Sequence, residues 1–273
     1  MRNVRSLAQA PATVLAIACM LSVCLLGQAS QPIRVMTWNI AAGHGNLSEI
    51  ADVIRNARPD IVGLQEVDVH WSERSGFADQ ASRLAEAVDM QVRFGPIYRL
   101  AGDGTAPVRE FGLAILSREP ILEFRNHEIP RLSTQSTDTH PQSMPGFLEA
   151  AIQIGGARVR VFNTHLDYRA DPRVRVLQVA AMLELLSGAA GPVMLLGDLN
   201  APPAAAELAP LFRRLNDAWP NGADPGFTYP ADTPVRRIDY ILTSDDFRAI
   251  DVRVLPVRAS DHRAVIAELS AVR

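Results

Sequence analysis

The segments Asp60–Val67 (DIVGLQEV) and Val193–Leu196 (VMLL) are short, near-continuous apolar runs. A strand that faces solvent on one side alternates apolar and polar residues, whereas a strand covered on both sides does not. Such runs therefore demand a sheet sandwiched between other layers. Helical patterns alternate with the strands. Ile50, Val53, Ile54 and Ala57 share one face of a helix that Ser48 can cap and Pro59 closes. A second helix turns Ala81, Leu84, Ala85 and Val88 inward, and a third runs from Pro172 to about Leu186.

Further strands are expected at Ile33–Ile40, Val92–Gly95, Ile238–Thr243, Val252–Leu255 and Ala264–Leu269. Phe111–Ser117 and Ile121–Ile129 are placed to pair across the turn Arg118-Glu119-Pro120. Phe147–Ile154 and Arg158–Leu166 should form a hairpin around Gly155-Gly156. Pro130–Gly146 is polar and bounded by prolines, which reads as a long surface loop. With Arg99–Arg109, it is the expected region of substrate selection.

The first residues differ from all that follow. Arg2 and Arg5 precede an uncharged, largely apolar stretch from Ala12 to Leu26, and Gly27-Gln28-Ala29 is a small-x-small cleavage signal. We read 1–29 as a signal peptide cut after Ala29 and 30–273 as one domain, so the chain is expected to be exported, periplasmic or secreted. An uncleaved leader would instead tether it to a membrane, although the stretch is short for a span of about 20 residues. Cys19 and Cys24 both lie in the leader. The mature chain thus has no thiol for a disulfide, a nucleophile or a cysteine-ligated zinc site.

All 27 basic residues are arginine, so no lysine is available as Schiff base or phosphate-loop cation. Without Arg2 and Arg5, 25 arginines face 30 acids, a balance of −5. The only adjacent pairs are Arg213-Arg214 and Arg236-Arg237. A nucleic-acid backbone would call for a basic surface, so nucleic acid is not the favoured partner. Nothing in the sequence sets an oligomeric state.

Polar residues interrupt the apolar strands at six places. Asn39 and Glu66 lie near the ends of their strands, and His165 follows Val159, Val161 and Asn163 along one face. Asp198 and Asn200 follow the run Val193–Gly197, Asp239 sits between Ile238 and Tyr240, and Asp261-His262 precedes the final strand. Carboxylates so near a core are costly unless they are paired or bind a metal. Singly, each has a structural explanation as turn, ion pair or satisfied core residue. Together they would need six such explanations.

The pieces Trp38-Asn39, Leu64-Gln65-Glu66, Asn163-Thr164-His165-Leu166, Gly197-Asp198-Leu199-Asn200, Arg237-Ile238-Asp239-Tyr240 and Ser260-Asp261-His262 occur in an order that resembles the endonuclease/exonuclease/phosphatase superfamily. That superfamily includes DNase I-like nucleases, abasic-site endonucleases, sphingomyelinases and inositol polyphosphate phosphatases. Phe111–Ser117 adds a seventh match, with Leu113 where relatives commonly carry Asn. Thr164–Tyr168 and Arg169-Ala170-Asp171 look most like its small bacterial members.

The resemblance implies a four-layer α/β sandwich, two mixed β-sheets face to face with helices outside. It implies Glu66 as principal ligand of a divalent cation, with Asn39 and Asp261 completing the metal side; an all-oxygen set suits Mg²⁺, or Mn²⁺ in its place. Asp198 with Asn200 would orient and deprotonate the attacking water. His165 and His262 would hold phosphoryl oxygens, and Asp239 would hydrogen-bond His262. Asp167, two residues beyond His165, is a supporting candidate. The expected activity is hydrolysis of a small-molecule or lipid-headgroup phosphoester, the rivals being an extracytoplasmic DNA nuclease and a catalytically silent binding module.

Overall fold

The computed structural model describes residues 31–272, apart from 103, 105, 106, 221 and 223. The leader 1–29, with Arg2, Arg5, Cys19 and Cys24, lies outside the described residues. Among the described residues no helix is long and apolar enough to cross a membrane.

Among the described residues, twelve strands form two six-stranded sheets. The first contains β1 (Ile33–Asn39), β2 (Ile61–Val69), β3 (Gln91–Leu100), β4 (Arg109–Ser117), β11 (Phe247–Val254) and β12 (Val265–Ala271), in the order β11-β12-β1-β2-β4-β3. The second contains β5 (Ile121–Arg131), β6 (Gln142–Ile154), β7 (Ala157–His165), β8 (Val193–Asp198), β9 (Asn216–Asp217) and β10 (Asp239–Thr243), in the order β5-β6-β7-β8-β10-β9. Both are mixed: β1 runs parallel to β2 and β7 parallel to β8, while the other pairings are antiparallel. A parallel pair needs a crossover. The helices α1 (Leu47–Ala57) and α3 (Arg173–Ser187) supply the two crossovers.

Successive residues of the central strands enter different cores, which is why their sequence does not alternate. Val35, Ile61, Ile115, Leu148, Val161, Met194 and Leu196 meet between the sheets. On the far side of the first sheet, Met36, Trp38, Val62 and Leu64 pack on Ile50 and Ile54 of α1 and on Leu84 and Val88 of α2 (Gln80–Val88). On the far side of the second, Phe162, Leu195, Tyr240 and Leu242 pack on Val179, Met182 and Leu186 of α3 and on Leu211 of α4 (Ala209–Arg214). The result is the expected four-layer sandwich.

Several local expectations need correction. Phe111–Ser117 and Ile121–Ile129 do not form a hairpin. β4 is already paired on both edges, by β2 and β3, whereas β5 pairs with β6 in the other sheet. The Arg118–Pro120 connector instead carries the chain between sheets, with Arg118 N donating to Asp60 O and Pro120 O accepting from Gln153 N. The Pro130–Gly146 loop is shorter than expected, because the β5–β6 ladder continues to Arg131 and Gln142. β5 is an edge strand, where Pro130 is tolerated; Pro145 lies beyond the stretch of β6 that pairs with β7. Asn46 rather than Ser48 caps α1, its side chain accepting from Glu49 N. The Gly155-Gly156 hairpin forms as expected.

Gly197 is the residue that lets β8 reach its functional end. A Cβ there would lie 2.3 Å from the backbone oxygen of Thr164 on β7. Backbone cannot yield as a flexible side chain can, so Gly197→Ala must push β8 away from β7. Overpacking of this kind typically costs about 1–3 kcal/mol. Denaturant unfolding is expected to show a loss of at least that size, and an unchanged midpoint would refute the close-approach argument.

Candidate active site

The two parallel strand pairs end at the same side of the sandwich and deliver the polar residues there. Asn39 is the last residue of β1, His165 the last of β7 and Asp198 the last of β8. In the ladder His165 stands beside Asp198 on one side, and Asp239, first residue of the antiparallel β10, stands beside it on the other. Three functional groups from distant sequence positions thus become neighbours through register alone. Asp261 and His262 come from the turn before β12.

Glu66 is delivered by a different device. The β2–β4 register shifts between Leu64 and Val67, and Glu66 has φ +56°. A bulge of this kind re-aims a side chain that regular alternation would send elsewhere. The bulge is stabilised from the opposite sheet: Asn163 of β7 donates from Nδ2 to Leu64 O and Ala114 O, both at 2.9 Å. Gln65 donates to Asn163 Oδ1 at 2.7 Å and to Thr37 Oγ1 at 3.1 Å. Gln65 and Asn163 were not among the expected site residues, although both stand as amides in otherwise apolar runs. Their network holds the backbone that presents Glu66.

Asp198 is the hub. Its Oδ2 lies 3.1 Å from Asn39 Nδ2, 3.4 Å from His165 Nε2 and 3.7 Å from His262 Nε2. Its Oδ1 accepts from Asn200 N at 2.9 Å. Asn200, at φ +52°, donates from Nδ2 to Leu166 O and so ties the β8 turn to the end of β7. The Asn39 amide bridges Glu66 and Asp198, donating to Glu66 Oε1 at 3.0 Å while its oxygen accepts from Ala41 N. That oxygen has a second lone pair left.

His262 Nδ1 lies 3.0 Å and 3.2 Å from the two oxygens of Asp239, both residues being buried. Tyr229 packs against the ring at 4.8 Å, and the Trp38 indole donates to His262 O. Burial opposes the imidazolium, but the carboxylates of Asp239 and Asp198 overcome it and raise the His262 pKa to about 10. Burial also pushes the Asp198 carboxyl up, aided by the charge of Asp239.

The sign for stability follows from His262 having its ordinary value near 6.5 when unfolded. Its contribution is complete below about that pH and is lost as pH rises through about 10. In the metal-free protein, Asp239→Asn should bring the imidazole titration, followed by NMR, back towards the ordinary value. A titration unmoved by that substitution would rule out the carboxylate as its cause.

The Ser260 hydroxyl donates to Asn39 O at 2.7 Å, and Asp261 Oδ1 lies 3.3 Å from the same hydroxyl oxygen. This places Asp261 next to the backbone that carries Asn39 and, through its amide, Glu66. Two carboxylates and an amide oxygen are hard donors suited to Mg²⁺ or Mn²⁺. Asp198, Asp239 and His262 also cluster closely enough to suggest a cation, with donor atoms within 4.8 Å of one another. The His262 imidazolium offsets one of the two carboxylate charges of that cluster. Asp167 pairs with Arg169 and lines a crevice with Glu66 and His165.

No match was found among curated proteins. An endonuclease/exonuclease/phosphatase from Beutenbergia cavernae has a similar structure, with TM-score 0.71, 25% identity and coverage of 88% of this chain and 72% of that one. A mannosyl-6-phosphatase from Bacteroides thetaiotaomicron is similar in fold, with TM-score 0.65, 19% identity and coverage of 87% and 99%. So is the human Nocturnin catalytic domain with bound sulfate, with TM-score 0.67, 22% identity and coverage of 89% and 94%. The model of the Endonuclease/Exonuclease/phosphatase family matches residues 36–262, from within β1 to His262 itself, and the chain belongs to that family.

Proposed function

We propose that the chain is a Mg²⁺- or Mn²⁺-dependent phosphoester hydrolase that acts by in-line attack of water on a small-molecule or lipid-headgroup phosphoester outside the cytoplasm. The observation that carries this reading is the convergence on one Asp198 oxygen of Asn39 Nδ2, His165 Nε2 and His262 Nε2, where the two sheets end together. Family membership supports the reaction class. The neighbours named for a mannosyl-6-phosphatase and for a bound sulfate are consistent with it. Export rests on the leader read in residues 1–29, and the small substrate on the acidic balance of the mature chain.

In this reading Glu66, Asp261 and the Asn39 oxygen hold the cation, which when bound polarises a phosphoryl oxygen and offsets charge on the leaving oxygen. Asp198 orients the attacking water and accepts its proton. The raised pKa of Asp198 makes it a stronger base than a solvated carboxylate. His165 and the His262 imidazolium donate to the non-bridging oxygens, and Asp239 keeps His262 charged and oriented. Asn200 N holds Asp198 Oδ1 in place and so fixes the orientation of the carboxylate.

The test compares bis(p-nitrophenyl) phosphate, sphingomyelin, inositol phosphates and plasmid DNA as substrates with Mg²⁺. Turnover of the small or lipid esters that ceases in saturating EDTA is expected. Turnover that persists in EDTA would remove the metal. Plasmid nicking at nanomolar enzyme, declining steeply with salt, would overturn the substrate assignment in favour of a nuclease. No hydrolysis of any member, with metal bound, would leave a silent binding module.

A further inference from the structure

A crevice of about 190 Å³ opens beside Glu66 and His165 and runs under the loop that follows β5. One wall is aromatic: Tyr98 and Phe111, partners across the β3–β4 ladder, stack at 6.1 Å. Its buried side carries Arg131, the last residue of β5, which is 7% exposed. Arg131 donates from Nη1 to His165 O at 2.9 Å and from Nη2 to Gly146 O at 2.7 Å. Its Nε has no partner.

The fold makes room for this guanidinium. A Cβ at Gly146, whose φ is +126°, would stand 2.7 Å from Arg131 Nη2 and 2.8 Å from its Nε. Any other residue there would collide with the charge or displace it. Yet among the described residues Arg131 makes no ion pair. Asp167 acts on it only from a distance and is itself paired with Arg169. Burial pulls the Arg131 pKa down to about 10, which leaves it charged at neutral pH.

A buried cation without a counter-charge is expensive, and an unmade hydrogen bond adds to that cost. The charge is offset if an anionic ligand occupies the crevice that Arg131 lines. We propose that the crevice seats a second anionic group of a small phosphoester, so that preferred substrates carry one phosphoryl group at Glu66 and His165 and another anion at Arg131. The carbon skeleton between them would lie against Tyr98 and Phe111, whose apolar faces suit it. This rests on the hydrolase reading above and specifies its substrate class.

Phosphonates separate the two readings, because water does not hydrolyse their carbon–phosphorus bond. The full chain, with Mg²⁺ present, would be titrated calorimetrically with α,ω-alkane bisphosphonates of increasing length and with the matching alkyl monophosphonates. At one optimal length the bisphosphonate should bind about ten-fold more tightly or better, as a hydrogen bond to a charged group supplies. Arg131→Gln should erase that ratio.

No advantage at any length, or an advantage that survives in a folded Arg131→Gln protein, would overturn the proposal. If the variant does not fold, the wild-type length series still decides, since a crevice without a second anion seat shows no optimum. A short oligothymidylate that competes as well as the best bisphosphonate would assign the seat to a strand and overturn the small-molecule source. Bisphosphonate preference without hydrolysis of any phosphoester would fail the hydrolase reading alone. Hydrolysis without preference would fail this one alone.

Discussion

Glu66→Ala is expected to abolish Mg²⁺-dependent phosphoester hydrolysis, a loss on the order of 10³-fold or more, and to leave the fold intact. A cation that neutralises developing charge contributes several kcal/mol to the transition state, each 1.36 kcal/mol being a factor of ten. Glu66 is half-buried, its side chain accepts a hydrogen bond from Asn39, and Ala meets the same positive φ as Glu, so stability should change little. Glu66→Gln sharpens the test. It keeps the shape of the side chain but removes the charge, so it should be nearly as inactive as Ala. Calorimetry should show weakened Mg²⁺ or Mn²⁺ binding in both. Full activity in either variant would move the metal away from Glu66, and the buried Asp198–Asp239–His262 cluster would then be the next place to look.

His262→Ala and Asp239→Asn should each lower kcat/KM on the order of 10²-fold or more, the usual size for a positioned acid–base group. The double variant should lose less than the product, because Asp239 acts through His262 at 3.0 Å. Strict multiplicativity would separate the two roles. The pH profile gives an independent readout. With His262 held protonated to about pH 10, the wild-type alkaline limb lies high. Removing the Asp239 charge lowers that pKa, so the Asp239→Asn limb should move towards neutral pH and residual activity should be best on the acid side. A merely structural loss would scale the whole profile without moving its limb.

Much of the site is legible in the sequence for a physical reason. Buried strands tolerate almost no unpaired polarity, so Asn39, Glu66, His165, Asp198 and Asp239 stand out against Trp38, Leu64, Val161, Leu196 and Tyr240. The same contrast marks Gln65 and Asn163, but only the structure shows that they clamp the bulge presenting Glu66. Arg131 was hidden because it lies in a polar, proline-bounded stretch that reads as loop. Its burial exists only once Gly146 and His165 close around it.

Periodicity, a local property of side chains, thus determined which segments are strands covered on both faces, and the rule against unpaired buried charge singled out the polar residues that the structure brings together. Pairing across distance is what local pattern cannot reveal. That β4 and β5 belong to different sheets, and that His165 and Asp239 flank Asp198, is decided by strand order and register across the sheets. The crevice at Arg131 is likewise tertiary, because a cation becomes buried without a counter-charge only when segments far apart in the chain remove its water together.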